Sequence, residues 1–354
     1  MTCKEKLYDP EPLFELELAR YRLSFSTKVT MDIKELAPLI RSRLGYILKE
    51  RFCPFHNFKT IICKECSKTS GCLYIKLFAP TLDSIEVQFQ GKGRTHATPP
   101  RPFCLDTLVE NSHGVMIDRE MGQVELTLIG RDAIQYQRPM LESIFHAVES
   151  IRISHLSCDS DIDIVNPVTP HFWERIIPAA NNGALQLEIR GEDFIAVNCT
   201  GHTIAEWIKA MPLPEIRTGN NSLSMLDIKF CTPVQLGRIQ GRITFTAFLQ
   251  SVLSRLRDLK RIYHPDNDMG NFPKKFYEKS DLVAAFTNLK TIKLTWYSHA
   301  QKTKINIGGL MGNVIFKGDI EPFLPLVAAG TLTGIGKKSV YGLGHFEIVY
   351  PSCE

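Results

Sequence analysis

The feature that most constrains this chain is a dense run of glycines near its C-terminus. Residues 330–344 read GTLTGIGKKSVYGLG, which places five glycines in fifteen residues. Because glycine adopts positive φ angles without steric cost, such a segment can turn sharply and approach a ligand closely. Its bare N–H groups can form an anion-binding nest, to which Lys337 and Lys338 would add positive charge. The alternative is a glycine-rich hairpin between two strands.

This glycine run does not match the phosphate-binding loop of nucleoside triphosphatases. That pattern needs a glycine six residues before its lysine and a serine or threonine directly after it. Thr331 and Lys338 occupy those two positions around Lys337. A nucleoside triphosphatase is therefore disfavoured.

Charge is distributed unevenly along the 354 residues. Residues 1–216 carry a net charge of −4, whereas residues 217–354 carry +8. The positive charge accompanies the glycine run and indicates a polyanionic partner, with a solvated basic face as the alternative. We expect a soluble, cytoplasmic protein without membrane contact, since no signal peptide and no membrane-length apolar run is present.

The order of predicted elements favours an α+β fold with two domains. In the C-terminal half we expect strands at 224–230, 290–296, 304–307 and 312–316, helices at 245–263 and 323–329, and a last strand at 346–350. Strand–helix–strand–strand–helix–strand is the order of a ferredoxin-like, RNA-recognition-motif type unit. The N-terminal half permits the same order with insertions, with helices at 32–51 and 136–153 and strands at 16–29, 73–78, 85–89, 124–129 and 184–189.

A turn-rich stretch marks the expected domain boundary. Residues 212–221 read PLPEIRTGNN, at the point where the charge balance changes sign. The prediction is therefore two tandem ferredoxin-like domains, 1–216 and 217–354. The first would contain a cysteine-rich insertion at about residues 52–73.

Four cysteines in that insertion form a candidate metal site: Cys53, Cys63, Cys66 and Cys72. One Cys-x-x-Cys pair and two further thiolates could close a tetrahedral zinc site, and an iron–sulfur cluster would use the same ligands. Four protein ligands make such a site structural rather than catalytic. The alternative is a set of buried thiols without metal.

Three stretches of the C-terminal half resemble a known family. They are LDIKFCTPVQL at 226–236, WYSHAQ at 296–301 with GGLMG at 308–312, and the glycine run itself. In order and spacing they are similar to the CRISPR-associated endoribonucleases that process precursor CRISPR RNA, within the repeat-associated mysterious protein (RAMP) superfamily. The similarity spans residues 224–350, and weaker similarity reaches the N-terminal half.

The resemblance implies a function in antiviral defence as a CRISPR RNA-processing endoribonuclease. Repeat RNA would bind the basic surface, and the substrate's own 2′-hydroxyl would attack the adjacent phosphate to leave a 2′,3′-cyclic phosphate. Such chemistry needs a base, an acid and cations but no catalytic metal. Other CRISPR-associated proteins of an effector complex would be further partners.

The candidate catalytic residues are His299, Tyr46 and Lys49. Members of the family commonly place a histidine on the first helix or just before the Gly-Lys of the glycine loop, and this chain has none at either place. His299 is the best remaining histidine, because imidazole can act as general acid or base near neutral pH. Tyr46 and Lys49 are the alternatives on the first helix.

The candidate RNA-binding residues combine flexible backbone, cations and aromatic rings. Aromatic residues interleaved with basic ones suit the stacking of single-stranded RNA, whereas ordinary packing is the alternative for Trp296 and Tyr341. The proposed set is Gly334, Gly336, Lys337, Lys338, Ser339, Tyr341, Gly342, Gly344, Lys302 and Lys304.

Two other functions stay open at this point. The first is a non-catalytic scaffold subunit of the same superfamily that binds CRISPR RNA, which the missing histidines favour. The second is an unrelated metal-stapled interaction module whose loop only resembles the family.

Overall fold

Contacts between backbone positions divide the chain into two units. The N-terminal unit comprises residues 18–201, and the C-terminal unit comprises residues 202–354 together with residues 1–17. The structure, a computed structural model, describes residues 7–26, 33–55, 57–59, 63, 66, 71–80, 99–108, 121–156, 176–177, 189–190, 193–194, 201–211, 224–236, 243–264, 266, 268–298, 303–336 and 338–349. The predicted linker at 212–221 lies outside these residues. The predicted boundary at 216/217 stays a prediction.

The described residues contain helices and antiparallel sheets, which confirms the predicted mixture. The helices are α1 Glu11–Phe14, α2 Ile33–Phe52, α3 Leu73–Leu77, α4 Arg131–Ile134, α5 Gln137–Leu156, α6 Ile204–Ala210, α7 Phe245–Tyr263, α8 Lys274–Asp281 and α9 Leu324–Thr333. The strands are β1 Glu17–Ser26, β2 Phe103–Leu108, β3 Met121–Ile129, β4 Ile176–Ile177, β5 Ile189–Arg190, β6 Asp193–Phe194, β7 His202–Thr203, β8 Ser224–Val234, β9 Ala284–Ile292, β10 Thr295–Ser298, β11 Thr303–Asn306, β12 Gly309–Gly318 and β13 Phe346–Val349.

The main sheet of the N-terminal unit has the strand order β2-β3-β1-β4. Strand β3 pairs antiparallel with both β1 and β2, so that Leu126 lies opposite Tyr21 on one side and Leu105 on the other. Helix α2 supplies buried Ile40 and Leu44 to the same hydrophobic core. Apolar residues spaced three to four apart along α2 explain why this segment is a helix with one buried face.

The segment 73–78 was predicted as a strand, and that prediction is wrong. It forms helix α3, in which Phe78 N–H donates to the carbonyl of Tyr74, four residues back. A segment this short carries no periodicity that separates a strand from a buried helical turn. Ile75 and Leu77 are both buried in this helix, and such an alternating pattern would equally fit a strand.

The main sheet of the C-terminal unit has the strand order β13-β8-β12-β9. Every neighbouring pair is antiparallel. Helix α7 packs Phe245 and Phe248 against Phe316 of β12, and Phe248 also meets Phe346 of β13. These aromatic rings are buried and form the core between sheet and helix.

Two details of this unit differ from the sequence expectation. The predicted strand at 290–296 is the end of β9 and the start of β10, with a break between Ile292 and Thr295. Helix α9 continues to Thr333, so Gly330 is helical rather than part of a loop. A Cβ at Gly330 would lie 2.9 Å from the ring of Phe346 and 3.0 Å from Val252, so close packing explains this glycine.

The first described residues belong to the C-terminal unit. The ring of Tyr8 packs on Phe276 and Phe323, and Asp9 forms a β-bridge with Asn271. Sequence reading had assigned this segment to the N-terminal half, because no local pattern reports contacts with residues more than 250 positions away.

Candidate functional site

The glycine loop begins at Gly334, where α9 ends. Gly334, Gly336, Gly342 and Gly344 all have positive φ, between 65° and 78°. Lys338 also has a φ of 73°, which few residues other than glycine adopt. The positive φ angles turn the chain back from α9 into β13, as the glycine content predicted.

Gly344 and Gly336 lie where the backbone leaves no room for a side chain. A Cβ at Gly344 would lie 1.9 Å from the carbonyl oxygen of Ile335, and one at Gly336 would lie 2.5 Å from that of Gln235. Gly344 N–H donates to the carbonyl of Pro233 at 3.0 Å. The loop is therefore closely packed against the end of β8.

Several loop amides are used inside the fold. Ile335 N–H donates to Gly344 O, Tyr341 N–H to Lys338 O, and Gly342 N–H to Ser339 O. The last two bonds close a short 3₁₀ helix, Ser339–Tyr341. These three N–H groups are therefore not available to an anion, and the predicted RNA-binding role of the rest of the loop stays a prediction.

Beneath the loop lies a small hydrophobic cluster. Its buried members are Ile307, Val340, Tyr341 and Leu343, and the partly buried Leu294, Trp296 and Ile305 pack against them. Tyr341 is only 8% exposed, which argues against base stacking and favours packing, the alternative raised from the sequence. Ser339 is also buried, at 5%.

The hairpin β10–β11 carries Tyr297 and Lys304 on its outer face and Trp296 on its inner face. Trp296 lies opposite Ile305, and Tyr297 opposite Lys304. Because successive strand residues point to opposite faces, Trp296 and Ile305 pack on the cluster while Tyr297 and Lys304 point away from it. Tyr297 is 47% exposed and Lys304 is exposed. The hairpin thus presents an accessible aromatic ring beside a cation.

Lys338 is the one loop lysine whose position is described. Its ammonium lies 5.8 Å from the centre of the Tyr341 ring, within range of a cation–π contact. Lys337, Lys302 and His299 lie outside the described residues, and their predicted roles stay predictions.

A second group of predicted residues lies on helix α2 of the N-terminal unit. Tyr46 is 42% exposed, and Lys49 is partly exposed one helical turn further along. The ring of Tyr46 meets Phe58 edge-on at 5.6 Å, and the ammonium of Lys59 lies 5.8 Å from the Tyr46 ring. Sequence reasoning missed this Phe58–Lys59 pair, although an aromatic residue beside a lysine in a basic segment was a visible signal.

The four cysteines of the predicted metal site lie near one another and next to α2. Burial raises the pKa of the Cys63 thiol, Lys49 lowers it, and the neighbouring thiols of Cys72, Cys53 and Cys66 raise it further. Burial, with a smaller contribution from Cys63, also raises the pKa of Tyr74 to about 12. The thiols are thus close enough to influence one another electrostatically.

The spacing of these sulfurs is wider than that of a closed metal site. Among the described residues, two groups of three potential ligands have donor atoms within 4.8 Å of one another, and neither contains any of these four cysteines. A bound metal would therefore have to draw the sulfurs together. The donor set suits zinc, but the geometry does not yet fit it.

Comparison with protein families identifies the class of the C-terminal unit. Residues 228–346 match the family model of the CRISPR-associated endoribonuclease Cas6. The matched segment contains the sheet, the hairpin and the glycine loop described above. This segment thus carries a Cas6-type CRISPR-associated domain, as the sequence resemblance predicted. Residues 16–187 match a second family model, described only as an N-terminal domain.

Solved structures of Cas6 proteins are similar to this chain over most of its length. A Cas6 product complex has 13% identity and a TM-score of 0.42, covering 94% of this chain and 99% of the other. A Cas6 from Thermus thermophilus has 12% identity and a TM-score of 0.43 over the same shares. A partial Cas6-RT-Cas1–Cas2 complex has 12% identity and a TM-score of 0.44, covering 96% of this chain and 47% of the other. No curated protein sequence matches the chain.

No helix in the described ranges combines the length and the apolar character that crossing a membrane requires.

Proposed function

We propose that this protein binds CRISPR repeat RNA and cleaves it with the substrate's own 2′-hydroxyl as nucleophile. The observation that carries the proposal is the Cas6 family match over residues 228–346, which includes the hairpin with its exposed Tyr297–Lys304 face. The net charge of +8 over residues 217–354 supports a polyanionic ligand.

The finer fold is part of this proposal. In each unit the four main strands form an antiparallel sheet. When they are numbered along the chain, the first strand lies between the third and the fourth, and the second lies at the edge beside the third. For the C-terminal unit the four strands are β8, β9, β12 and β13; for the N-terminal unit they are β1, β2, β3 and β4. That order, with a helix after the first and third strands, is ferredoxin-like. We therefore assign one such fold to each unit.

The proposed reaction is an internal transfer of the phosphoryl group. A base takes the proton of the 2′-hydroxyl, its oxygen bonds to the adjacent phosphorus, and the bond from phosphorus to the 5′-oxygen breaks as that oxygen gains a proton. The products are a 2′,3′-cyclic phosphate and a 5′-hydroxyl. The protein supplies the base, the acid and cations that stabilise the charge on the phosphorane.

The candidates for these roles come from each unit separately. In the C-terminal unit, His299, which follows Tyr297 by two residues in the sequence, would act as base or acid. In the N-terminal unit, the exposed Tyr46 and the partly exposed Lys49 are one helical turn apart on α2, and their hydroxyl and ammonium could share the same roles.

A non-cleaving scaffold is the second candidate function. It is favoured by one observation: helix α2 carries no histidine, and neither does the glycine loop before Lys337. Association with other CRISPR-associated proteins stays a prediction under either function.

Repeat RNA with a single 2′-deoxy substitution at the scissile nucleotide distinguishes the two functions. We expect the protein to bind both RNAs equally and to cut only the unmodified one, because the substitution removes the nucleophile. Equal binding with no cutting of either RNA would favour the scaffold. No preference for repeat RNA over an unrelated RNA of the same length would reject both functions.

A further inference from the structure

Three potential metal ligands meet where the end of β8 adjoins the start of β13. Cys231 lies near the end of β8, His345 directly precedes β13, and Glu347 lies within it. The thiol sulfur, an imidazole nitrogen and a carboxylate oxygen are all within 4.8 Å of one another. This cluster is in the C-terminal unit and is separate from the four cysteines discussed above.

Backbone hydrogen bonds fix the three residues in place. Cys231 N–H donates to the carbonyl of His345 at 3.1 Å, and His345 N–H donates to the hydroxyl of Thr232 at 2.9 Å. The antiparallel pairing of β13 with β8 holds Glu347 two residues further along the same strand. Preorganised ligands of this kind lower the cost of ordering a metal site.

One distance between donor atoms is already close to that of tetrahedral zinc, and the others are below 4.8 Å. With Zn–N and Zn–O near 2.0–2.1 Å and Zn–S near 2.3 Å, adjacent ligand atoms lie about 3.3–3.6 Å apart. His345 Nε2 and Glu347 Oε1 are 3.7 Å apart. Movements of a few tenths of an ångström would therefore bring these two atoms to the separation found between ligands of tetrahedral zinc.

Burial gives the site a closed side and an open side. His345 is 5% exposed, Cys231 is partly buried, and the side chain of Glu347 is 51% exposed. A metal ion could enter along Glu347 and keep a fourth position for water. Sulfur, nitrogen and oxygen together favour a borderline-soft divalent ion of the zinc class over Mg²⁺ or Ca²⁺.

We infer that Cys231, His345 and Glu347 form a binding site for Zn²⁺. The Cys231 thiol donates to the carbonyl of Lys229 at 3.5 Å, and that proton is released to solvent when the thiolate binds the ion. The ion would join β8 to β13 beside Gly344, which holds the glycine loop through its bond to Pro233. Its role would thus be to fix the base of that loop.

Lys229 is the cation that competes with the metal. It lies directly opposite Glu347 in the register of the two strands, and its charge acts on that carboxyl, so its ammonium and the metal ion would attract the same carboxylate. Removing that charge should strengthen zinc binding. The other three-ligand group, which includes His264, differs here because the buried ammonium of Lys260 already lies 3.1 Å from one of its carboxylates.

The test is a zinc titration of the full chain after the metal has been removed with a chelator. Zinc retained after desalting is measured per chain by elemental analysis for the wild type and for Cys231→Ser, Glu347→Gln and Lys229→Met. Cys104→Ser and Glu321→Gln serve as matched controls outside the cluster. Any zinc at the four-cysteine site adds the same amount to all of these proteins. The difference in zinc per chain between a variant and the wild type therefore reports only the zinc bound by Cys231, His345 and Glu347.

We expect Cys231→Ser and Glu347→Gln to retain one zinc fewer than the wild type and the controls. Lys229→Met should retain the full number and bind it more tightly, by about 3- to 10-fold. Zinc should raise the melting temperature of the wild type more than that of Glu347→Gln, because an ion that binds only the folded state stabilises it.

Equal zinc content in the wild type and Glu347→Gln would overturn the inference. Glu347 is half exposed, so this variant should fold even where Cys231→Ser does not. Unchanged or weaker zinc binding by Lys229→Met would also contradict the site. The test does not depend on RNA cleavage, so its failure would leave the proposed function untouched.

Discussion

Tyr297 and Lys304 lie directly opposite each other in the antiparallel hairpin β10–β11, with both side chains on its exposed face. Directly opposed residues place their Cβ atoms about 4.5–5.5 Å apart. Under the proposed function, the ring would stack on a base and the ammonium would contact the neighbouring phosphate.

Replacing these two residues should weaken RNA binding in two different ways. Tyr297→Ala should cost about 1–3 kcal/mol of binding free energy, because one base loses its stacking partner. Lys304→Ala should reduce the slope of log affinity against log salt by about 0.7, the value for one phosphate contact with a single strand. Fluorescence anisotropy over a salt series measures both effects.

Lys274→Ala is the control, because Lys274 is 91% exposed and pairs with Glu278 on α8. It should leave both quantities unchanged. If all three variants bind like the wild type, the hairpin is not part of the RNA-binding surface.

A methyl group at Gly344 should destabilise the protein strongly. The added Cβ would lie 1.9 Å from the carbonyl oxygen of Ile335, and the φ of 78° is itself strained for alanine. We expect Gly344→Ala to lower the free energy of unfolding by about 2–4 kcal/mol, measured by urea denaturation. Gly71→Ala is the matched control, since a Cβ there meets nothing within 4 Å. Equal stability of the two variants would show that the loop is not packed as described.

Glu142 should make stability depend on pH. Burial raises the pKa of its carboxyl, but hydrogen bonds from Arg138 at 2.9 Å and Arg51 at 2.7 Å outweigh burial and lower the pKa below its usual range. A lowered pKa gives stability that is present above the unfolded-state value of about 4.3 and lost as pH falls through the folded-state value. Glu142→Gln should therefore cost about 0.5–1 kcal/mol at pH 7 and nothing near pH 2. A cost that is the same at both pH values would contradict this assignment.

Lys260 should be a strong determinant of stability in the C-terminal unit. Its side chain is fully buried, and its ammonium lies 3.0 Å from Glu15 and 3.1 Å from Asp266 and also donates to the carbonyl of Pro12. Lys260→Ala should cost about 2–4 kcal/mol, because it leaves a cavity and releases the N-terminal segment. Lys260→Met keeps the volume and should cost less. Proteolysis near residue 12 should increase in both variants, and an unchanged cleavage rate would argue against this anchoring role.

The sequence predicted elements whose patterns are long and regular. Helix α7 was predicted with the bounds it has, since its buried Phe248, Val252 and Leu256 repeat every four residues and Thr244 caps its first turn. The turns at Gly334 and Gly344 were predicted because positive φ leaves few alternatives to glycine.

The features that the sequence did not predict depend on contacts between residues that are far apart along the chain. Tyr341 and Tyr297 both lie three to five residues from lysines in the sequence, yet one is buried and the other exposed. Only the placement of the hairpin against the loop separates them. The pairing of Cys231 with His345 is likewise a product of strand register, because 114 residues separate them.

The most direct measurement is cleavage of the host's own repeat RNA by the purified protein in excess EDTA, with analysis of the product ends. We predict one cut within the repeat, a 2′,3′-cyclic phosphate on the upstream fragment and a 5′-hydroxyl on the downstream one. His299→Ala should slow that cut about 10²- to 10⁴-fold if this residue is the acid or base. Cleavage that stops in EDTA and returns with divalent metal, or products that carry a 5′-phosphate, would contradict attack by the 2′-hydroxyl without metal.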